Sequence, residues 1–277
     1  MNAAEFSALV FGTSLLAGFL GSLTGLGGGV VIVPVLVLIF KVDIRYAIGA
    51  SLVSVIATSS GAAAAYVREG LSNVRIGMFL EVATTLGALL GAYLTAKVSP
   101  KWIAIIFGVV LLYSAYASFR KRSDHAAAEP NALATKLQMY GTYPTSAGEV
   151  SYTAERVPLG FGIMFGAGTL SGLLGIGSGA VKVLAMDQAM KLPFKVSTTT
   201  SNFMIGVTAA ASAGIYLARG YIHPDLAMPV LLGVLGGSMI GAKVLMRAKV
   251  ATLKILFAGV IVVLGAEMIY SGLTGRI

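Results

Sequence analysis

Displaced against itself by 150 residues, the chain aligns without a gap. Gly25, Gly27 and Gly29 fall on Gly175, Gly177 and Gly179, Val31 and Val33 on Val181 and Val183, and Lys41 on Lys191. Farther on, Ser51 meets Ser201, Thr58 meets Thr208, Tyr66 meets Tyr216, Gly70 meets Gly220, and Gly87 and Gly91 meet Gly237 and Gly241. Apolar sequence of low complexity gives chance identities, but glycines and polar residues held in register over so long a stretch identify a duplicated unit.

Each unit reads as membrane-spanning helices. Of the 277 residues 57% are hydrophobic and 11% charged, against about 25% charged in a soluble domain. Apolar runs of roughly 18 residues or more recur, the length a helix needs to cross a bilayer, so a soluble globular domain is excluded. In residues 1–119, the first repeat, Glu5–Leu23 is apolar, a glycine break follows, and Val30–Phe40 forms a short helix. Long helices then cover about Tyr46–Val67, Val74–Ala96 and Trp102–Phe119. Residues 157–277 repeat the plan with Val157–Leu174, the break, Ala180–Met190, Val196–Ala218, Leu226–Met246 and Val250–Gly272. Residues 120–156 are polar and punctuated by Pro, Gly and Ser, an extramembrane linker whose TYPTSAGEVSYTAERV has the pattern of a small β-hairpin. The expected fold is an all-α polytopic membrane protein of two repeats, each a glycine-broken hairpin or half-helix followed by three transmembrane helices.

The net charge of +9 fits an excess of Lys and Arg in cytoplasmic loops; no basic block interleaves with aromatics, so no nucleic-acid partner is expected. The chain has no cysteine, which removes disulfides and thiolate chemistry. His125 and His223 have no His or Cys neighbour at ligand spacing, so neither a metal nor a cofactor is expected. The opening MNAAEFSALVFG lacks a basic n-region and an Ala-x-Ala site and reads as a retained helix rather than a signal peptide.

Eleven residues of helix rise about 16 Å, half of a ~30 Å hydrocarbon core, so Val30–Phe40 and Ala180–Met190 do not span alone. Either Glu5–Phe40 is one interrupted span, or the chain re-enters at the glycines. Re-entry makes the crossings per repeat odd and the repeats inverted. One side then holds Arg68, Arg75, Arg120, Lys121, Arg122, Lys136, Arg156, Lys191, Lys195, Arg247, Lys249 and Lys254, and the other Lys41, Arg45, Lys97, Lys101, Arg219 and Arg276. That split is twelve against six, whereas single interrupted spans give nine against nine. The Lys/Arg bias favours inversion, with the linker cytoplasmic and both termini outside; five full crossings per repeat give the same count. Inverted repeats with broken helices meeting near the midplane are the plan of many secondary transporters.

The breaks are the first candidate site. Glycine in a helix interior costs roughly 1 kcal/mol relative to alanine, yet GLGGG is followed by GIGSG 150 residues on. Irregular backbone at membrane depth survives only inside protein or beside a wet cavity, and amides at the start of a half-helix suit an anion. Gly27, Gly28, Gly29, Gly177, Ser178 and Gly179 are therefore candidate substrate contacts. Close packing through small residues is the competing reading, and it is the preferred one for Gly87, Gly91, Gly237 and Gly241. Lys182 stands where the first repeat has Ile32; a cation in an apolar segment is a functional candidate, unless it snorkels to the interface. Asp187 is a candidate partner for it or a proton carrier, and Glu81, whose counterpart is Leu231, is the other candidate proton carrier; a structural ion pair is the alternative for each. Ser51 and the run Thr199, Thr200, Ser201 and Asn202 offer polar side chains beside the breaks, to line a path or to bond neighbouring helices. The chain carries no nucleophile–base pair, so an enzyme is the poorer hypothesis.

GLGGGVVIVPVL followed by a GASL-type helix, then SGLLGIGSGAVKVLAM and KLPFKVSTTTSNFMIGVTAAASA, resembles the TauE/SafE sulfite exporter family across nearly both repeats. The resemblance implies an inner-membrane permease moving sulfite or an organosulfonate, usually outward. It carries the family motifs to Gly25, Gly27, Gly28, Gly29 and Pro34, and to Gly175, Gly177, Gly179, Ser201 and Asn202. Ser178 replaces the third glycine of the second motif, and Leu184 stands where Pro34 sits in the first. The expectation is a secondary transporter, monomeric or homodimeric, binding a small sulfur oxyanion between the breaks. Its alternating access is coupled to the membrane potential or, through Glu81 or Asp187, to protons. A passive anion channel, or a membrane enzyme or assembly partner, are the alternatives.

Overall fold

Each apolar run of the sequence is a helix that ends where the glycine, proline or polar punctuation falls. The computed structural model describes residues 2–22, 29–68, 72–119, 132–145, 148–245 and 250–277. The first repeat contains α1 (Ala3–Ser22), α2 (Gly29–Leu38), α3 (Ile44–Arg68), α4 (Val74–Leu94) and α5 (Pro100–Phe119). Between the repeats lie α6 (Ala132–Lys136) and strands β1 (Tyr140–Thr145) and β2 (Gly148–Thr153). The second repeat contains α7 (Val157–Leu174), α8 (Gly179–Leu184), α9 (Phe194–Ala218), α10 (Pro224–Leu245) and α11 (Val250–Thr274). Among the described residues, six helices are long and apolar enough to cross a membrane: α1, α4, α5, α7, α9 and α10. The chain is an all-α polytopic membrane protein carrying one small hairpin.

The 150-residue offset governs the local geometry as well as the sequence. The short helices α2 and α8 end alike. Lys41 and Lys191 adopt positive φ, 54° and 57°, and the amides of Val42 and Leu192 donate to the carbonyls of Leu36 and Met186 at 3.1 and 2.9 Å. They differ in between. α2 keeps α geometry to Leu38 with Pro34 inside it, whereas α8 stops at Leu184 and continues as a π turn over Ala185–Ala189, closed by the Met190 amide on the Ala185 carbonyl at 3.0 Å. The helix expected over 180–190 is thus α-helical only in its first half.

The repeats interlock by exchanging their first helices. α1 packs on α10 and α7 packs on α4. Glycines make both seams, and the same positions make them twice. A Cβ on Gly18 would meet Val234 and one on Gly168 would meet Thr84. One on Gly237 would lie 1.9 Å from the Leu15 carbonyl oxygen, and one on Gly87 would lie 2.1 Å from that of Phe165. Only small residues allow backbones this close. Gly87, Gly91 and Gly237 thus serve helix packing.

The remaining long helices pair with their own counterparts, α3 with α9 and α5 with α11, and they run antiparallel. The first turns of α3 lie at the end of α9. A Cβ on Gly49 would sit 2.3 Å from the Tyr221 carbonyl oxygen, and the Tyr46 ring packs on Tyr221 and His223 at 5.6 and 5.0 Å. Beyond the other end of α3, the Asn73 amide donates to Thr200 near the start of α9 at 3.0 Å. In the same sense Gly108 of α5 meets Gly265 of α11, while Lys101 and Ala104 meet Gly272.

The described part of the linker is docked on the bundle rather than loose. β1 and β2 pair antiparallel from Tyr140↔Thr153 to Thr145↔Gly148. Ala134, Met139, Tyr152 and Ala154 are buried in one cluster with Ile76, Leu80, Met186 and Met190. Asn73 joins the parts. Its Oδ1 accepts from the Ile76 amide at 3.0 Å, capping α4, while its Nδ2 donates to the Tyr152 hydroxyl at 2.9 Å. Arg75 donates to Gln138 at the same end. At the opposite end of α4, Arg219 donates to the Ala92 carbonyl at 2.8 Å and Arg45 to that of Thr95 at 3.3 Å, cations placed where a helix C-terminus attracts them.

Candidate functional site

The second break is a loop of left-handed backbone between α7 and α8. Gly175 (φ 68°), Gly177 (φ 70°) and Ser178 (φ 47°) all have positive φ. Glycine takes this conformation freely, whereas a side chain such as that of Ser178 is strained there. Serines hold the loop at both ends: Ser51 of the first repeat donates to the Gly175 carbonyl at 2.9 Å, and Ser201 donates to that of Gly179 at 3.3 Å. The two hydroxyls occupy equivalent positions, and both are buried.

The helix α2 begins against this loop. Gly29, the first residue of α2, is buried, and a Cβ on it would lie 2.6 Å from Ser51 Oγ and 3.2 Å from the Gly175 carbonyl oxygen. The serine that ties down one break therefore also backs the start of the other half-helix. Gly25, Gly27 and Gly28 lie outside the described residues. At the convergence, Ser178 is 3% exposed and Ser171 fully buried, yet neither hydroxyl oxygen has a hydrogen-bond partner among the described residues. Buried hydroxyls are normally satisfied, so both retain the capacity to bond a further polar group.

One turn into α8, Lys182 is fully buried, which rules out the snorkelling reading. Its Nζ donates to Thr208 Oγ1 of α9 at 2.5 Å, and Thr208 Oγ1 lies 2.7 Å from Glu81 Oε1 of α4. The carboxylate brought to Lys182 is thus Glu81 and not Asp187, which lies buried in the π turn. Thr85 also donates to Glu81 Oε1, at 3.2 Å. Glu81 is 5% exposed, and its Oε2 has no partner among the described residues. Lys182 therefore does not lend its charge directly to the break. It is spent on a carboxylate from the other repeat.

Of the polar run on α9, Thr199 donates to the Lys195 carbonyl of its own helix at 3.0 Å, Thr200 accepts the Asn73 amide, and Ser201 ties the break. Asn202 is half-buried. Sequence reasoning missed Thr208 as a site residue, though its signal was present. Glu81 and Lys182 are the two places where a charge in one repeat faces Leu or Ile in the other, and Thr208 is a matched threonine between them.

Buried charges, an unwound helix and orphan hydroxyls at the meeting of two intertwined helical repeats define a polytopic membrane transporter. Residues 10–268 match the family described as Sulfite exporter TauE/SafE, and the chain belongs to that family. It is 29% identical over 266 residues to the "Probable membrane transporter protein YunE" of Bacillus subtilis, covering 94% of this chain and 96% of that one. It is 27% identical over 236 residues to YdhB of the same organism, also named a probable membrane transporter protein, covering 85% and 87%. Similarity to MJ0441 of Methanocaldococcus jannaschii, similarly named, is 23% over 272 residues, 92% of each chain. No solved structure matches the chain.

Proposed function

We infer that this transporter carries a small sulfur-containing oxyanion, sulfite or an organosulfonate, out of the cell across the inner membrane. The anion binds where the two glycine breaks converge, between Gly29 and the 175–179 loop, with Ser178 as its donor and Asn202 on the neighbouring helix. The observation that carries the reading is this convergence: Gly29 against Gly175, with Ser178 of the same loop buried and its hydroxyl without a partner among the described residues. The family description names sulfite, a charged oxyanion with several acceptor oxygens that suits such donors.

Alternating access follows from repeats of inverted topology. Support comes from the antiparallel pairing of α3 with α9 and of α5 with α11, and from the reciprocal packing of α1 on α10 and α7 on α4. Two such intertwined halves can rock about a fixed central site. Arg45 and Arg219 gather at one end of α4 while Arg75 and the linker gather at the other, as the Lys/Arg bias requires for a cytoplasmic linker and external termini. The test is flux of sulfite, thiosulfate and a two-carbon sulfonate into proteoliposomes. Saturable flux with trans-stimulation by internal anion is the expected result. Flux without saturation indicates a channel, and no flux of any of the three overturns the substrate class.

A further inference from the structure

Glu81, Thr208 and Lys182 lie one helical turn from the break, and their geometry is that of a proton site. This inference rests on the transport reading above and adds the coupling ion. We propose that the Lys182–Thr208–Glu81 triad takes up one proton with each anion bound, so that anion and proton cross the membrane together, outward whenever the anion's outward gradient exceeds the inward proton gradient.

The argument begins with charge. A fully buried lysine and a carboxylate 5% exposed sum to zero whether their shared proton sits on Nζ or on the carboxylate. An anion entering beside them would leave the buried site negative, and an uncompensated buried charge is strongly disfavoured. One proton added to the triad makes it positive and matches the anion.

The hydrogen-bond geometry accepts that proton without moving a heavy atom. With Glu81 ionised, Lys182 Nζ donates to Thr208 Oγ1 and Thr208 donates to Glu81 Oε1. A proton from water that forms an O–H bond on Oε1 reverses the second bond: Glu81 now donates to Thr208, and the threonine's own proton turns to the Met204 carbonyl oxygen, 2.8 Å away. Glu81 Oε2, buried and unpartnered among the described residues, is a second landing place. Among the described side chains, the other ionisable groups on the elements packed against the triad are few, and α3, which packs on α9, carries Arg45 and Tyr46 in its first turn. α4 otherwise carries Arg75 and Tyr93 at its ends, α9 carries Lys195 and Tyr216 at its ends, and α7 carries none. The α8 and π segment adds Asp187, and Lys101, Tyr113 and Tyr116 of α5 are exposed.

Packing alone does not require the charges. The positions equivalent to Glu81, Lys182 and Thr208 in the opposite repeats are Leu231, Ile32 and Thr58, so the fold fills the same location with aliphatic side chains on its other side.

The test uses the full chain in proteoliposomes holding a pH-sensitive dye, with sulfite, thiosulfate and a two-carbon sulfonate as probes. With an acidic exterior, the wild type is expected to accumulate the sulfonate monoanion about tenfold per pH unit and to carry one proton with it. Glu81→Gln and Thr208→Val lower the proton-to-anion ratio toward zero, the residual flux becomes sensitive to membrane potential, and Thr208→Ser restores the ratio. Anion flux without protons in the wild type, or a ratio unchanged in both variants, overturns the triad while leaving the transport reading intact. If none of the probes moves, the substrate class above fails and pH-difference infrared spectra decide the triad. A protonated-carboxyl band lost in Glu81→Gln supports it, and the absence of that band in the wild type overturns it.

Discussion

Replacing Lys182 by Ile and Glu81 by Leu, singly and together, copies into one side of the molecule the residues its other side already holds. Lys182→Ile leaves a carboxylate that is 5% exposed without its cation. Breaking a buried pair in this way costs about 3–5 kcal/mol. Thr208 at 2.7 Å and Thr85 at 3.2 Å still donate to that carboxylate, which places the expected loss near the lower end, about 3 kcal/mol. Glu81→Leu strands the ammonium with Thr208 as its hydrogen-bond acceptor and costs a similar amount. The double variant removes both charges and leaves Thr208 bonded to the Met204 carbonyl. Exchange of a buried ion pair for apolar residues is often neutral or stabilising, so it should fall within about 1 kcal/mol of the wild type. Unfolding midpoints of the four proteins in one detergent, converted to a double-mutant cycle, measure the coupling. Single-site losses that add to within about 0.5 kcal/mol would refute a coupling of these residues through Thr208 across the repeats.

Ser51→Ala and Ser201→Ala each remove one tie on the second break, and each should cost about 1 kcal/mol while raising the half-saturation concentration for anion, read from proteoliposome uptake. Gly87→Ala and Gly237→Ala place a methyl 2.1 and 1.9 Å from a facing carbonyl oxygen; both should lose about 1–3 kcal/mol in thermal stability, by similar amounts because the two seams are equivalent. Asn73→Ala removes the cap of α4 and the bond to Tyr152 together, and should speed protease cleavage of the hairpin and lower stability by about 1–2 kcal/mol.

Most helix ends were legible because glycine and lysine recur at the same offset in both repeats, and a boundary written twice is hard to misread. The hairpin was legible from its alternation. The π turn at Ala185–Ala189 was not, because Leu184 in place of Pro34 permits several backbone paths and packing selects among them. Nor was the linker's docking, since Met139 and Tyr152 are single apolar residues in polar surroundings and only the fold brings Ile76 and Met186 to meet them. At the site, glycine pattern and buried charge singled out Gly29, Glu81 and Lys182, which the fold buries. They could not tell that Thr200 serves the Asn73 amide, or that Lys182 faces Glu81 across the repeats, because contacts between repeats leave no period in either.

The binding of an anion at the second break is tested most directly at Ser178. Ser178→Gly copies Gly28 of the first repeat, relieves a side chain held at φ 47°, and removes a hydroxyl that has no partner among the described residues, so the fold should be at least as stable as before. A hydrogen bond to a charged group is worth about 1.5–3 kcal/mol. The account therefore predicts a half-saturation concentration at least about tenfold higher with an unchanged or raised unfolding midpoint. Wild-type affinity in Ser178→Gly would contradict it.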